Sequence, residues 1–369
     1  MNTVIIIGGG LAGLTCAILL QRKGFLVTVF EKKKYPFHRV CGEYISNEAR
    51  PFLESLGVSL SKEGASKINC LSVTSESGKK LLTELPMGGF GLSRYKLDDL
   101  LFQQAERLGV EFIFEKVAGL KFNGEYFEIS ASNKVHESSI GIAAFGKRSN
   151  LDQKLKRDFF YKRSPYLGVK YHIKTDLPDN LIRLDNFQGG YSGVCKIEGD
   201  KFNLCYLSET ANLKKYKDIP EMEENVLYKN PSLKHLFKNS EFISKNPEVI
   251  NEISFERKTL VEDHLLFCGD SAGMITPLCG NGMAIAFHSA KILAENIIAF
   301  GSNKIIDRAG LEQNYKYEWT RHFALRLKTG RMIQRLFGNS LISGLSIQTL
   351  NRSSSLTKFM VERTHGKVF

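Results

Sequence analysis

A glycine-rich segment near the start of the chain constrains its fold more than anything else in it. The apolar run Val4-Ile5-Ile6-Ile7 leads straight into Gly8-Gly9-Gly10-Leu11-Ala12-Gly13, and an acid, Glu31, stands 23 residues after Gly8 with Lys32 beside it. Gly8, Gly10 and Gly13 keep the G-x-G-x-x-G spacing of a strand that turns into a helix at a dinucleotide site. Gly8 permits the tight turn out of the strand, Gly10 lets the backbone approach a pyrophosphate, and Gly13 lets the helix pack closely on the sheet. The helix N-terminus opening at Leu11 and Ala12 attracts the phosphates. Glu31, closing the next strand, is placed to accept hydrogen bonds from both hydroxyls of an adenosine ribose.

The rest of a βαβ unit accompanies the motif. Ala17 and Leu20 recur on the helix face, Gly24 ends the helix, and Phe25 to Phe30 reads as the second strand. Two plainer explanations are a glycine-rich loop and a signal peptide, since Val4 to Leu20 is uncharged and mostly apolar. The second fails because no Lys or Arg precedes the run, the run is short for a bilayer span, and it holds the fingerprint glycines.

A chain of 369 residues with 43% hydrophobic and 11% aromatic content is long enough for two lobes with a real core. Its seven cysteines are scattered, odd in number and without a C-x-x-C pair. They read as reduced, mostly buried thiols of a cytoplasmic protein, with no zinc site. The net charge of +12 is uneven, because Gly301 to Phe369 carries 12 Lys or Arg against 4 acids. No nucleic-acid-binding module is visible, so a nucleic-acid partner is set aside.

Periodicity predicts an α/β chain: a Rossmann-like lobe over residues 1–165, to which 255–305 return, with an inserted antiparallel sheet as substrate domain over 166–254. The 47–92 stretch contributes to the substrate side, and 306–369 form a basic helical C-terminal region. The clearest elements are a helix from Leu97 toward Gly109, a meander from Gly119 to Val135, strands over 166–173 and 201–207, and a helix over 283–298.

A second motif narrows the field. A buried strand, Leu266-Phe267-Cys268, ends in Gly269-Asp270, and the chain enters a helix through Pro277-Leu278-Cys279-Gly280-Asn281-Gly282-Met283. Such an aspartate can accept from a sugar-like hydroxyl, and amides opening a helix can bind a reduced, negatively charged ring. On both motifs the chain resembles, over residues 1–300, the FAD-dependent oxidoreductases that include aromatic hydroxylases and geranylgeranyl reductases. The resemblance implies that the glycine loop holds the FAD pyrophosphate, Glu31 the adenosine ribose and Asp270 the ribityl chain. It further implies that Gly280, Gly282 and Met283 approach the pyrimidine edge of the flavin. Arg94, ahead of Leu97-Asp98, would lie against the cofactor, and Val117 would meet the adenine through its backbone.

Arg39-Val40-Cys41-Gly42-Glu43 resembles the Cys-Gly segment of the geranylgeranyl reductase branch, which lies beside the flavin; Arg39 is counted with the cofactor residues. Cys41 and Glu43 are the candidate catalytic groups, Glu43 as proton donor, with Tyr191 and Tyr206 as weaker candidates. Gly189 to Cys195 matches a glycine-tyrosine strand facing substrate in that branch, but the tryptophan and phenylalanine-proline that follow there are missing. Where hydroxylases carry Asp-Gly, this chain has Phe145-Gly146. Direct NAD(P)H use is therefore open, and the electron donor is NAD(P)H or a separate carrier. The paired-tryptophan motif of flavin halogenases is absent, since Trp319 is the only tryptophan.

Three functions compete at this point. The first, favoured by Phe145, is reduction of a double bond in a lipophilic, isoprenoid-like substrate. The second is monooxygenation of an aromatic or polyene, and the third a non-enzymatic flavoprotein. The C-terminal region interleaves Arg321, Arg326, Lys328, Arg331 and Arg335 with apolar residues, and Leu336 to Asn351 is uncharged. It reads either as a peripheral membrane contact or as helices packed on the lobe with a basic outer face.

Overall fold

A computed structural model describes residues 2–162, 164–276, 280–301, 306–336 and 366–369. The chain runs β1 (Thr3–Ile7), α1 (Leu11–Gln21), β2 (Leu26–Phe30), β3 (Tyr44–Ser46), α2 (Arg50–Ser55), β4 (Ser66–Thr74), β5 (Lys80–Gly91), α3 (Arg94–Arg107), β6 (Glu111–Ile113), β7 (Val117–Phe122), β8 (Phe127–Ala131), β9 (Lys134–Ser138) and β10 (Ile140–Ala143). It continues through α4 (Asn150–Lys154), β11 (Tyr166–Lys174), β12 (Leu181–Phe187), β13 (Gly190–Lys196), β14 (Phe202–Glu209), α5 (Thr210–Leu213), α6 (Ile219–Asn225) and α7 (Pro231–Asn239). The remaining elements are β15 (Glu241–Phe242), β16 (Glu248–Ile253), β17 (Val261–Glu262), β18 (Leu265–Phe267), α8 (Gly282–Gly301) and α9 (Arg308–Leu336).

The first sheet has the order β17-β18-β10-β1-β2-β6, parallel except for the edge strand β17. β1 is apolar throughout its buried stretch because a parallel strand is covered on both faces, and Val4 to Ile7 are at most 5% exposed. α1 and α8 pack together beside this sheet. By length and composition α8 could cross a bilayer, yet it lies largely buried in the core between α1 and α9. The uncharged stretch from Leu336 to Asn351 and the Pro277-Leu278-Cys279 segment fall outside the described residues, apart from the backbone end of α9.

The second sheet has nine strands, with β3, β4 and β5 joined to β11 through β16. Every pairing within residues 166–254 is antiparallel, as expected, and the 47–92 stretch joins through β4, which pairs in parallel with β12, Leu71 opposite Ile182. Strand periodicity distinguishes direction poorly, since side chains alternate in either case. In β11, Leu167, Val169, Tyr171 and Ile173 enter a core shared with α6 and α7. Gly168, Lys170 and His172 therefore face the opposite way, and the Cβ of a residue at Gly168 would touch Val40 at 3.3 Å. β7, β8 and β9 form the small meander.

The buried face of α6 carries an acid, Glu223, with no cation placed against it among the described residues. Glu223 Oε1 accepts hydrogen bonds from Tyr171 at 2.9 Å and Tyr206 at 2.7 Å. Burial pushes its carboxyl up to about 7, the tyrosine hydroxyls opposing it. The folded state therefore holds the proton more tightly than the unfolded chain does. This contribution is complete below the ordinary glutamate value and is lost as pH rises through about 7, an effect on the order of 3 kcal/mol. Urea denaturation at pH 5 and pH 8 should show the wild type losing more stability than Glu223→Gln between the two; equal losses would refute the assignment.

Candidate active site

Local sterics build the cofactor cradle. Gly8 has φ +109°, and a Cβ there would stand 2.5 Å from the Ala144 carbonyl oxygen. A Cβ on Gly13 would overlap Gly8 O, and one on Gly9 would overlap the Tyr35 hydroxyl. At Gly10 the situation reverses: the nearest atom to an added Cβ is Arg94 Nη2 at 3.8 Å, while Gly42 and Gly146 face open space. No side chain caps α1 and no acid sits in its first turn, so its amides and positive dipole end face this groove unanswered. A groove of this kind, open where glycine is needed and bounded by a guanidinium, fits a dinucleotide pyrophosphate.

Four charged residues form a continuous chain beside it. Arg94 places Nε 2.7 Å and Nη2 2.8 Å from the two oxygens of Asp98, which is buried. Arg39 Nε reaches Asp98 at 3.0 Å and its Nη2 reaches Glu31 at 3.0 Å. Burial alone would weaken the Arg94 charge, but Asp98 outweighs it and holds the guanidinium charged. Glu31 also accepts from the amides of Gly9 at 3.1 Å and Lys33 at 3.2 Å, while Lys32 is exposed. Tyr35, which the motif did not predict, donates to Gly9 O at 2.5 Å and stacks on Phe102. Val117 opens β7, buried and paired with Ala131.

The two distant motifs meet in space. Gly269, with φ +62°, lets the Gly-Asp turn lie on the first turn of α1, where a Cβ would be 2.8 Å from that of Ala12. Burial pushes the Asp270 carboxyl up, against Lys258, Arg94 and Lys147. Lys258 Nζ donates to the carbonyls of Asp270 at 2.7 Å and Lys147 at 2.6 Å. Burial lowers Lys258 to about 8 and Lys147 to about 7. Neither lysine was predicted. Gly280 has φ +65° and faces the Tyr44 ring, and Gly282 and Met283 open α8. Phe145, in place of an acid, packs edge-on against Phe267 at 6.1 Å.

Glu43 is where the structure departs most from expectation. A loop glutamate ordinarily sits in water, but this one is completely buried and has φ +54°, a conformation that surrounding contacts must hold. Lys170 Nζ lies 2.5 Å from Oε1, His172 Nε2 lies 2.7 Å from Oε2, and Oε1 also accepts the Arg94 amide at 2.8 Å. Burial would raise its carboxyl, but Lys170 and His172 prevail and hold it below the usual range. An ionised carboxylate only accepts hydrogen bonds, so His172 carries its proton on Nε2. Glu43 thus has no proton to give. It is an anchor, and it holds the His172 ring against the loop.

The Cys41-Gly42 backbone is fixed from the same sheet. Asn203 Nδ2 donates to Cys41 O at 3.1 Å and the Cys195 thiol to Gly42 O at 3.5 Å. Burial pushes the Cys41 thiol up, so it is not a thiolate. Tyr206 points to the opposite core, bound to Glu223, whereas Tyr191 joins Leu207, Ile253 and Met274 in a cluster packed by Tyr166 and Phe255. Among the described residues no group of His, Cys, Asp or Glu is arranged to hold a metal ion, and the six described cysteines are free thiols.

The chain has likenesses among known proteins. Residues 6–52 match the family described as NAD(P)-binding Rossmann-like domain. A tryptophan 2-halogenase of Chondromyces crocatus is 23% identical over 87% of the chain, which spans 65% of that protein's length. Protein FixC of Salmonella typhi is 24% identical over 80% of the chain and 76% of its own length. Among solved structures, a flavin-dependent brominase superposes with a TM-score of 0.81 at 20% identity, covering 100% of this chain and 94% of that one, a likeness of fold. The fingerprint, the cradle and these likenesses give the chain a Rossmann-like dinucleotide-binding fold, similar to that of FAD-dependent oxidoreductases and halogenases.

Proposed function

We propose that the enzyme reduces an activated double bond in a lipophilic, isoprenoid-like or aromatic substrate, with NAD(P)H or a separate carrier as electron source. FAD, when bound and reduced, supplies the hydride. The observation that carries the reading is the Glu43–His172 pair, a proton donor and its counter-charge on the substrate sheet beneath the Cys41-Gly42 segment. Glu43 fixes the imidazole through Nε2, and His172 delivers a proton from Nδ1 when the ring is doubly protonated. After delivery, the neutral ring keeps its Nε2–H on the same carboxylate. The Tyr191, Leu207, Ile253 and Met274 cluster supplies apolar contact and keeps water out.

Two relatives bear halogenase names, one of them for a pyrrolyl-carrier-protein brominase, so halide is included in the test. FAD-loaded protein is given NADH or NADPH without oxygen, with polyprenyl and aromatic acceptors, and the products are weighed. A gain of two hydrogens is expected. His172→Asn should lower kcat by about 100-fold or more while FAD content stays the same. Product that requires oxygen, or oxygen and halide together, would replace reduction by monooxygenation or halogenation.

A further inference from the structure

We infer that a cavity between the segment after Asp270 and α9 binds an amphipathic anion: a single acyl or aryl chain ending in a carboxylate or phosphate. Its volume is about 510 Å3. The inference rests on the reductive reading above only in taking this anion to be the substrate.

The floor is apolar and formed by Leu260, Ala272, Met274, Trp319 and Leu327, the last four buried. The rim is cationic. Arg257 and Lys328 are exposed there, with Arg331 beside them. Glu256, the acid among the described lining residues, is already matched by Lys162 at 2.8 Å. Lys258 is committed to two carbonyls and faces the Gly-Asp turn. Leu325, 61% exposed, adds apolar surface to the lining.

An apolar floor under a positive rim selects against two simpler ligands. A small anion would leave the floor wet, and a neutral chain would make no use of the exposed charges of Arg257 and Lys328. One lining residue links the cavity to the substrate sheet. Met274 lines the cavity and also packs with Tyr191, Leu207 and Ile253 in the substrate-sheet cluster. Ile253 in turn lies against Gly168, which shares its strand face with His172. Met274 is thus the one described lining residue that the cavity shares with the core of the substrate sheet.

Trp319 is the only tryptophan in the chain and stands in the cavity wall, so its emission reports occupancy. The FAD-loaded full-length chain is titrated with monomeric dodecyl phosphate and dodecanoate, with dodecanol as the uncharged control. Saturable changes are expected with both anions, at affinities at least about tenfold above dodecanol. Paired substitution Arg257→Glu with Lys328→Glu should weaken both anions by about tenfold or more without altering the alcohol. Ala324→Phe, at an exposed lining position, should weaken all three. A response to phosphate alone would name a phosphorylated chain, and to both, either headgroup.

Equal binding of dodecanol would overturn the anion assignment. A Trp319 response confined to phosphatidylglycerol vesicles would overturn it in favour of a bilayer contact. Silent Trp319 emission in a protein that still reduces its acceptor would overturn the cavity and leave the reaction standing. Saturable binding of both anions, with no gain of two hydrogens by any of the polyprenyl or aromatic acceptors, would support the cavity and overturn the reductive reading.

Discussion

Gly13→Ala is expected to yield a chain that is purified nearly colourless, with affinity for FAD reduced by about 10- to 100-fold. The reason is local and steric. The new methyl would overlap the carbonyl oxygen of Gly8 and crowd the Cβ of Ala144 at 3.3 Å. Relief requires α1 to move away from β1, and the amides at the start of α1 move with it. Because backbone is displaced, the apoprotein itself should also unfold at lower urea. Gly10→Ala provides the contrast. Its methyl enters open space toward Arg94, 3.8 Å away, so the apoprotein should keep its stability while FAD is excluded by the methyl standing in the pyrophosphate's path. Measuring flavin absorbance and apoprotein denaturation for both variants separates a packing defect from a blocked cradle. Equal apoprotein stability in the two would contradict the close approach of Gly13 to Gly8.

Glu43→Gln should cost about 3–5 kcal/mol of stability, since it leaves Lys170 buried without its counter-charge. Lys170 is 2% exposed and Glu43 is fully covered. The loss has a companion test in Glu43→Gln combined with Lys170→Met, which removes both charges and should recover much of the deficit. The pH dependence runs opposite to that of Glu223. A carboxyl held below its unfolded value contributes stability above that value and loses it as pH falls through its folded value. Acid titration of the wild type should therefore show a loss below the ordinary glutamate range that the double variant lacks. If the double variant is no more stable than Glu43→Gln alone, the pair is not the source of the cost.

The cofactor lobe was legible because each of its demands is short-range. Gly8, Gly10 and Gly13 are spaced by the turn they make, and Glu31 is tied to them by the length of one helix and one strand. The same is true of Asp270, whose motif spans a single strand end. What brings Asp270 to α1 is the packing of Gly269 on Ala12, which no local pattern encodes. The environment of Glu43 was illegible for a related reason. Its partners lie 127 and 129 positions away, and only the pairing of β11 with its neighbours turns Lys170 and His172 toward the loop. A signal did exist in hindsight: Gly168, Lys170 and His172 put three non-hydrophobic residues on one face of a strand whose other face carries Leu167, Val169, Tyr171 and Ile173. The direction of β4 against β12 had no such trace. The lack of paired tryptophans pointed away from halogenases, while the likeness of fold to a brominase extends over the whole chain. The two observations concern different things, one a reaction and the other a scaffold.

One acid, Asp98, is shared by Arg39 and Arg94, and Arg39 also holds Glu31. The ribose end and the phosphate end of the groove are thereby wired to a common node. Negative charge arriving at Arg94 competes with Asp98 for that guanidinium, and a loosened Asp98 can shift toward Arg39, easing the hold of Arg39 on Glu31. A ligand that offers only half of the dinucleotide should therefore gain less than half of the binding free energy.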